Sequence, residues 1–282
     1  MHPHASLLLL LVATLAAAAA AATSSSLATH ASQLQRPACL PRERDALLAF
    51  KRGIRDDPMG LLHSWQEGDP DCCRWRRVRC SNRTGHVLEL RLRNVLSLVE
   101  ASLVGQISAS LLALEYLEHL DLSSNEVQGS SCPIPEFFGS LNNLRYLNLS
   151  GIDLFVGTVP PQLGNLSRLQ YLDLSSTYGL KSTDVSWLTR LPSLKYLDLS
   201  SVDLSAVADW PHVVNMLPAL RVLDLSECSL ASANHSLPRM NLTNLEWLNL
   251  SENYFDQPVG SFWFWNMTHL KHLSLEKSNL HA

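Results

Sequence analysis

Eight times between residues 87 and 275 the chain repeats a six-residue phrase with apolar residues at its first, fourth and sixth positions. The phrases are VLELRL from Val87, LEHLDL from Leu117, LRYLNL from Leu144, LQYLDL from Leu169, LKYLDL from Leu194, LRVLDL from Leu220, LEWLNL from Leu245 and LKHLSL from Leu270. Their starts are spaced by 30, 27, 25, 25, 26, 25 and 25 residues. Central pairs such as Leu147 and Leu149 alternate with polar residues, as in a strand, whereas a helix would need apolar positions every 3.6 residues. A single strand of this kind cannot bury its own leucines. Neighbouring units must therefore stack in parallel around one continuous core. At ~4.8 Å per strand, eight strands extend over about 34 Å.

A strand-bearing unit recurring at this period is the leucine-rich repeat pattern. The fold it predicts is an α/β repeat solenoid: a leucine-rich repeat horseshoe segment with a parallel concave β-sheet and irregular or helical segments outside.

The amino terminus stands apart from the repeats. Leu7 to Ala22 is an unbroken run of Leu, Ala, Val and one Thr. Its 16 residues fall short of the ~20 needed to cross a bilayer and fit the apolar region of a signal peptide. Small residues place cleavage near Ala22, Ala28 or Ala31, so residues 1–31 are assigned to the signal, although only His2 and His4 precede the run in place of Lys or Arg. No second run of that length follows. The expectation is a chain in the secretory pathway, extracellular or at the cell surface.

Cysteine usage agrees with an oxidising compartment, because four of the six cysteines crowd into Cys39, Cys72, Cys73 and Cys80. Four cysteines allow three pairings, and a bond between the adjacent Cys72 and Cys73 would be strained. No CxxC pair or suitably spaced histidine accompanies them, so no metal site is expected.

The net charge of −4 argues against nucleic acid as a partner. It is unevenly spread: residues 36–93 carry 13 Lys/Arg against 8 Asp/Glu, and the rest carries 9 against 18. A basic module precedes an acidic one.

Further residues mark the variety of repeat. Leu103-Val-Gly-Gln-Ile107, Ile134-Pro135, Val-Gly157-Thr-Val-Pro160 and Leu-Gly164-Asn-Leu resemble the LxGxIPxxLGxL signature of plant extracellular leucine-rich repeats, with Ser108 where that signature has proline. Upstream, Arg42-Glu-Arg-Asp-Ala-Leu47-Leu48-Ala-Phe50-Lys51, Ser64-Trp65 and DCCRWRRVRC from Asp71 to Cys80 are similar to the plant amino-terminal cap, CCxWxGVxC. The resemblance runs over residues 39–280. Phrases such as DVSWLTRLPSLKYLDLS and DWPHVVNMLPAL look most like grass receptor-like proteins related to the fungal-xylanase receptors. It implies a disulfide-bonded helical cap at 36–84 and about eight repeats at 85–282 without a carboxyl-terminal cap. It also implies pairing of Cys39 with Cys72 and of Cys73 with Cys80. Arg77 replaces the family glycine, which questions a turn that needs positive φ.

The first repeat would expose an apolar end, and a predicted helix around 43–51 can cover it with Leu47, Leu48 and Phe50. Trp65 and Trp75 are expected to pack there. Arg74, Arg76, Arg77 and Arg79 supply the basic density, either as a solvated face or as an attraction for acidic cell-wall polysaccharide.

Residues alternating with the buried leucines point out from the concave face. One column reads Glu89, His119, Tyr146, Tyr171, Tyr196, Val222, Trp247, His272, and a second Arg91, Asp121, Asn148, Asp173, Asp198, Asp224, Asn249, Ser274. Aromatic residues beside acids suit a protein or peptide ligand, so His119, Tyr146, Tyr171, Tyr196, Trp247 and His272 are the candidate contacts. Stacking along the strands is the competing, purely structural reading. Lys277, Glu227 and Glu252 depart from the repeat consensus beside the strands.

Cys228 occupies a position held elsewhere by Asn125 and Asn253, and a buried free thiol is expected there, out of reach of Cys132. Seven sequons occur. Asn82, Asn165, Asn234, Asn241 and Asn266 are the glycosylation candidates, while Asn148 and Asn249 fall within strands. No GxSxG elbow, HExxH, phosphate loop or kinase segment appears, so neither catalysis nor a cofactor is expected.

The resemblance implies the ligand-recognition module of a receptor-like protein, serving pathogen or elicitor perception and defence signalling. Its ligand would be a protein or peptide of microbial origin, and its signalling partner a co-receptor or adaptor kinase. The alternatives are a secreted protein similar to the polygalacturonase inhibitors and a truncated receptor product. A chain ending at Leu280-His281-Ala282 is expected to leave its last apolar layer uncovered and to associate.

Overall fold

The computed structural model describes residues 38–129, 133–231, 237 and 239–281. The expected signal segment, Cys132 and Asn234 lie outside the described residues, as does the side chain of Asn266. Among the described residues there are two α-helices, α1 (Pro41–Gly53) and α2 (Trp210–Val214). The strands in chain order are β1 (Ile54–Asp56), β2 (Val78–Cys80), β3 (Val87–Arg91), β4 (Val104–Gln106), β5 (His119–Asp121), β6 (Glu126–Gln128) and β7 (Tyr146–Asn148). They continue as β8 (Val156–Thr158), β9 (Tyr171–Asp173), β10 (Gly179–Lys181), β11 (Tyr196–Asp198), β12 (Val222–Asp224), β13 (Trp247–Asn249) and β14 (His272–Ser274). No helix among the described residues is long and apolar enough to cross a membrane.

The expected solenoid is present. Its main sheet runs β2-β3-β5-β7-β9-β11-β12-β13-β14 and is parallel from β3 onward. It has nine strands rather than the eight counted from the repeats, because β2 of the cap adds to β3 antiparallel and covers that edge. Leu90, Leu120, Leu147, Leu172, Leu197, Leu223 and Leu248 stand in register and are fully buried, while Leu273 in the last strand is partly buried. Each such side chain contributes about 1.5–3 kcal/mol on leaving water, which is what holds one repeat to the next.

All the strands of this sheet but β3 are three residues long, and the residues that follow them show why. The last strand residue accepts a hydrogen bond from the backbone N–H two positions on: Asp121 from Ser123, Asn148 from Ser150, Asp173 from Ser175, Asp198 from Ser200, Asp224 from Ser226 and Asn249 from Ser251. This Asx turn bends the chain away from the sheet. The next residue takes positive φ, at Ser124, Gly151, Ser176, Ser201, Glu227, Glu252 and Lys277. The residue after it then points inward, where Asn125 donates to the carbonyls of Leu92 and Leu122, and Asn253 to those of Leu225 and Leu250. Cys228 takes the same place as a buried free thiol, its Sγ donating to Leu199 O at 3.1 Å.

Outside the sheet the return segments are 3-10 turns at Ala109–Ala113, Glu136–Ser140, Pro161–Asn165 and Ser186–Arg190. Pro135 and Pro160 enter two of them, and Ser108, in place of proline, caps its own by accepting from Ser110 N–H. Successive turns touch backbone to backbone: a Cβ on Gly139 would lie 2.2 Å from Gln162 O, so only glycine fits there. Two short sheets, β1-β4-β6 and β8-β10, brace this side.

Helix α1 closes the amino-terminal end. Ala46, Leu47, Leu48 and Phe50 are buried, and Trp65 stacks on Trp75 with centroids 5.6 Å apart. Disulfides join Cys39 to Cys72 and Cys73 to Cys80. The sulfurs of Cys39, Cys72 and Cys73 lie together, but all three are consumed in those bonds. Buried Glu43 ties helix to sheet, accepting from Val87 N–H at 2.7 Å while its other oxygen meets His86 Nδ1 at 2.7 Å. The Arg77 turn survives the loss of glycine: the arginine itself adopts φ 68°.

Candidate functional site

The concave sheet presents two columns of outward side chains, and strand pairing places them in exact lateral register. Column one runs from Glu89 through His119, Tyr146, Tyr171, Tyr196, Val222 and Trp247 to His272. Its rings lie on one another. His119 stacks on Tyr146 at 3.9 Å, Tyr146 on Tyr171 at 4.2 Å and Tyr171 on Tyr196 at 4.2 Å, with planes within 11° of parallel. Beyond Val222, Trp247 stacks on His272 at 3.5 Å. The candidate residues are therefore brought together, in two stacks rather than one. Within each stack the ring faces cover one another, as the structural reading of this column anticipates, and edges remain toward solvent. Trp247, with 41% of its surface exposed, and His272 are the exposed members.

The second column is less open than alternation predicts. Asp121, Asn148 and Asp173 are buried, and Asp198, Asp224 and Asn249 are half-buried. Their Oδ1 atoms are taken by the Asx turns just described. Two of them also meet column one through the second oxygen: Tyr171 hydroxyl donates to Asp173 Oδ2 at 3.1 Å and Tyr196 hydroxyl to Asp198 Oδ2 at 3.3 Å. Burial, followed by the neighbouring carboxylates, pushes both phenols above their ordinary range, so they remain donors. Asp198 is pushed up to about 6, first by burial and then by Asp173 and Asp224 on either side. None of the ion pairs among the described residues involves Asp173, Asp198 or Asp224.

Charge reverses at the cap end. Glu89 is gripped by Arg79 and approached by Arg91 at 2.8 Å, the latter as an ion pair without a directed hydrogen bond. Burial would raise the Glu89 carboxyl, but the Arg79 hydrogen bond and the two guanidinium charges hold it below its usual range. His119, beside them, is lowered by burial and by Arg91. Arg79 is thereby withdrawn from the basic cluster, leaving Arg74 and Arg76 exposed and Arg77 half-buried.

An outer rim of Glu118, Arg145, Arg221, Glu246 and Lys271 bounds the sheet, with Lys271 Nζ 2.6 Å from Glu246. On the opposite edge Lys277 pairs with Glu252 at 2.8 Å, and Ser201 hydroxyl donates to Glu227. The sequon residues separate by location. Asn82 and Asn165 are exposed, Asn241 is half-buried with its backbone N–H held by Asn215, and Asn148 is buried with its Oδ1 engaged by Ser150. One surface escaped the sequence reading: Val95, Leu96, Leu98 and Val99 form an exposed apolar loop after β3. Its signal was the long first spacing of 30 residues.

Comparison with known proteins agrees with this architecture. Residues 40–81 match the leucine rich repeat N-terminal domain, and residues 116–141 and 167–230 match leucine rich repeats. The chain is 47% identical over 257 residues to receptor-like protein EIX2 of Solanum lycopersicum, covering 88% of this chain and 24% of that protein. It is 40% identical over 242 residues to receptor-like protein EIX1 of the same plant, covering 82% and 23%. The chain thus spans about a quarter of the length of the curated relatives it matches. Among solved structures, the leucine-rich repeat ectodomain of the Arabidopsis receptor kinase HAESA, in complex with an extended IDA peptide hormone, superposes with a TM-score of 0.58 at 25% identity. That match covers 83% of this chain and 40% of HAESA's.

Proposed function

We propose that this chain, a leucine-rich-repeat protein with an amino-terminal cap and similar to about a quarter of the length of two tomato receptor-like proteins, is an extracellular recognition segment whose concave face binds a peptide or protein. The observation that carries this reading is the pair of concave columns, aromatic rings set against Asp173, Asp198 and Asp224, none of which forms an ion pair among the described residues. Such a surface offers contact area at low entropic cost together with a charge that selects its partner. The HAESA ectodomain, which shares the fold, is a peptide-bound receptor. Binding is the whole of the chain's activity in this reading, with no reaction catalysed.

Likeness to the tomato receptor-like proteins supports the finer reading, perception of a microbial elicitor in plant defence, with the signal passed to a co-receptor or adaptor kinase. Selection of binders from a displayed random 12-residue peptide library against the full chain tests the surface. Recovered peptides should lose their affinity when Tyr171→Ala and Trp247→Ala are combined. Unchanged affinity, or no binder at all, overturns the assignment.

A further inference from the structure

The aromatic column is interrupted once, at Val222. Strand pairing sets Tyr196, Val222 and Trp247 side by side, so Tyr196 and Trp247 stand two strand spacings apart, about 9.6 Å. Each ends a stack. Tyr196 has Tyr171 on one side with planes 8° apart, and Trp247 has His272 on one side with planes 12° apart. Their other faces turn toward Val222, and no ring among the described residues stacks on either. The interval has room for one planar group about 4.8 Å from each ring, within the range of ring stacking, above the half-buried valine.

The same interruption changes the carboxylate beside it. In β9 and β11 the tyrosine hydroxyl donates to the acid two residues on. In β12 the valine has no hydroxyl, and a side-chain amide from the next strand takes the place of that donor. Asp224 Oδ1 accepts from Ser226 N–H and hydroxyl, and Oδ2 accepts from Asn249 Nδ2 at 2.9 Å. Asp224 thus accepts three hydrogen bonds, as Asp173 does with its phenol, and a carboxylate has room for about one more. Asp198 lies in register beside it, and neither forms an ion pair among the described residues.

We propose that the Val222 gap is a slot for a planar cation, the guanidinium of an arginine on the recognised peptide, which stacks between Tyr196 and Trp247 and donates to Asp224. The inference rests on the concave face being the recognition surface and specifies what that surface selects. Guanidinium is flat, permanently charged and a multiple donor, so it satisfies both the aromatic walls and the acids. An ammonium meets the charge but cannot complete the stack, and a neutral ring completes the stack but leaves the acids uncompensated.

The test titrates N-acetyl-arginine amide, N-acetyl-lysine amide and N-acetyl-phenylalanine amide into the full chain, observed by saturation-transfer NMR. Arginine amide should bind roughly tenfold tighter than either of the others. Val222→Tyr, which fills the gap with the ring found in neighbouring repeats, should abolish that binding while leaving the melting temperature equal or higher. Asp224→Asn should weaken it about tenfold. The latter is made in a host without N-glycosylation, because the change creates Asn-Leu-Ser. Equal binding of the three probes, or wild-type arginine binding in Val222→Tyr, overturns the slot. Should Val222→Tyr melt early, Asp224→Asn decides alone. Library peptides that depend on Tyr171 but ignore Val222→Tyr would remove the slot and keep the recognition surface. An arginine probe blocked by Val222→Tyr, with no library binder, would keep the slot and remove the peptide reading.

Discussion

Tyr171 lies flat against Tyr196, ring centroids 4.2 Å apart, and each phenol points along its own strand to the carboxylate two residues on. The contact joins residues 25 positions apart in sequence, so it forms only when two repeats have docked in register. Tyr171 is also stacked by Tyr146 on its other face. Tyr171→Ala removes both stacking contacts and is expected to cost about 1–3 kcal/mol in denaturant unfolding. Tyr171→Phe should keep most of that, losing only the hydrogen bond to Asp173.

Asp198, pushed up to about 6 by burial and by the acids on either side, holds its proton more tightly in the folded chain than in the unfolded one. The folded state therefore gains stability as pH falls from 7 toward 4, and that gain is lost as pH rises through about 6. Asp198→Asn should remove this dependence and stabilise the protein at pH 7 by about 1–2 kcal/mol, allowing for solvent screening. Asn148 and Asn249 show that an amide keeps the same turn. Melting curves of both proteins from pH 4 to 8, expressed without glycosylation, should converge at the acid end and separate at neutrality.

Glu43 is a buried acid whose two oxygens meet Val87 N–H and His86. Glu43→Ala leaves the Val87 donor without its partner and should destabilise the cap by about 3 kcal/mol. Proteolysis should then cut first between residues 38 and 86, with the repeats beyond protected.

Arg77 holds φ 68°, a conformation costing a side-chain-bearing residue about 1–2 kcal/mol. Arg77→Gly relieves it, and the larger unfolded-state freedom of glycine offsets part of the gain. A net stabilisation of about 0.5–1 kcal/mol is expected, read as a shift in the denaturation midpoint.

Cys228 is fully buried, and burial, followed by the nearby Asp224 charge, raises its thiol far above the ordinary range. Iodoacetamide should leave it unmodified in the native chain at pH 8 and alkylate it fully in guanidinium chloride. Rapid native labelling would mean that this part of the solenoid opens readily.

The repeat period, the alternation of leucines and the cap cysteines are local and periodic, and from them the solenoid, its parallel sheet and the contents of each column follow by counting residues. Residue spacing alone left three cysteine pairings open, and three-dimensional packing places Cys39 against Cys72 and Cys73 against Cys80. The ninth strand was hidden because β2 carries Val78-Arg79-Cys80 rather than the repeat phrase, and joins β3 antiparallel. Likewise, counting puts tyrosines and aspartates on one face, but not which surface of each ring stays free. Stacking decides that: a ring 4 Å from its neighbour spends its faces on that neighbour. Tertiary structure alone turns Val222, an ordinary β-branched strand residue in sequence, into the interval where two ring faces stay uncovered beside an acid that no ion pair among the described residues neutralises.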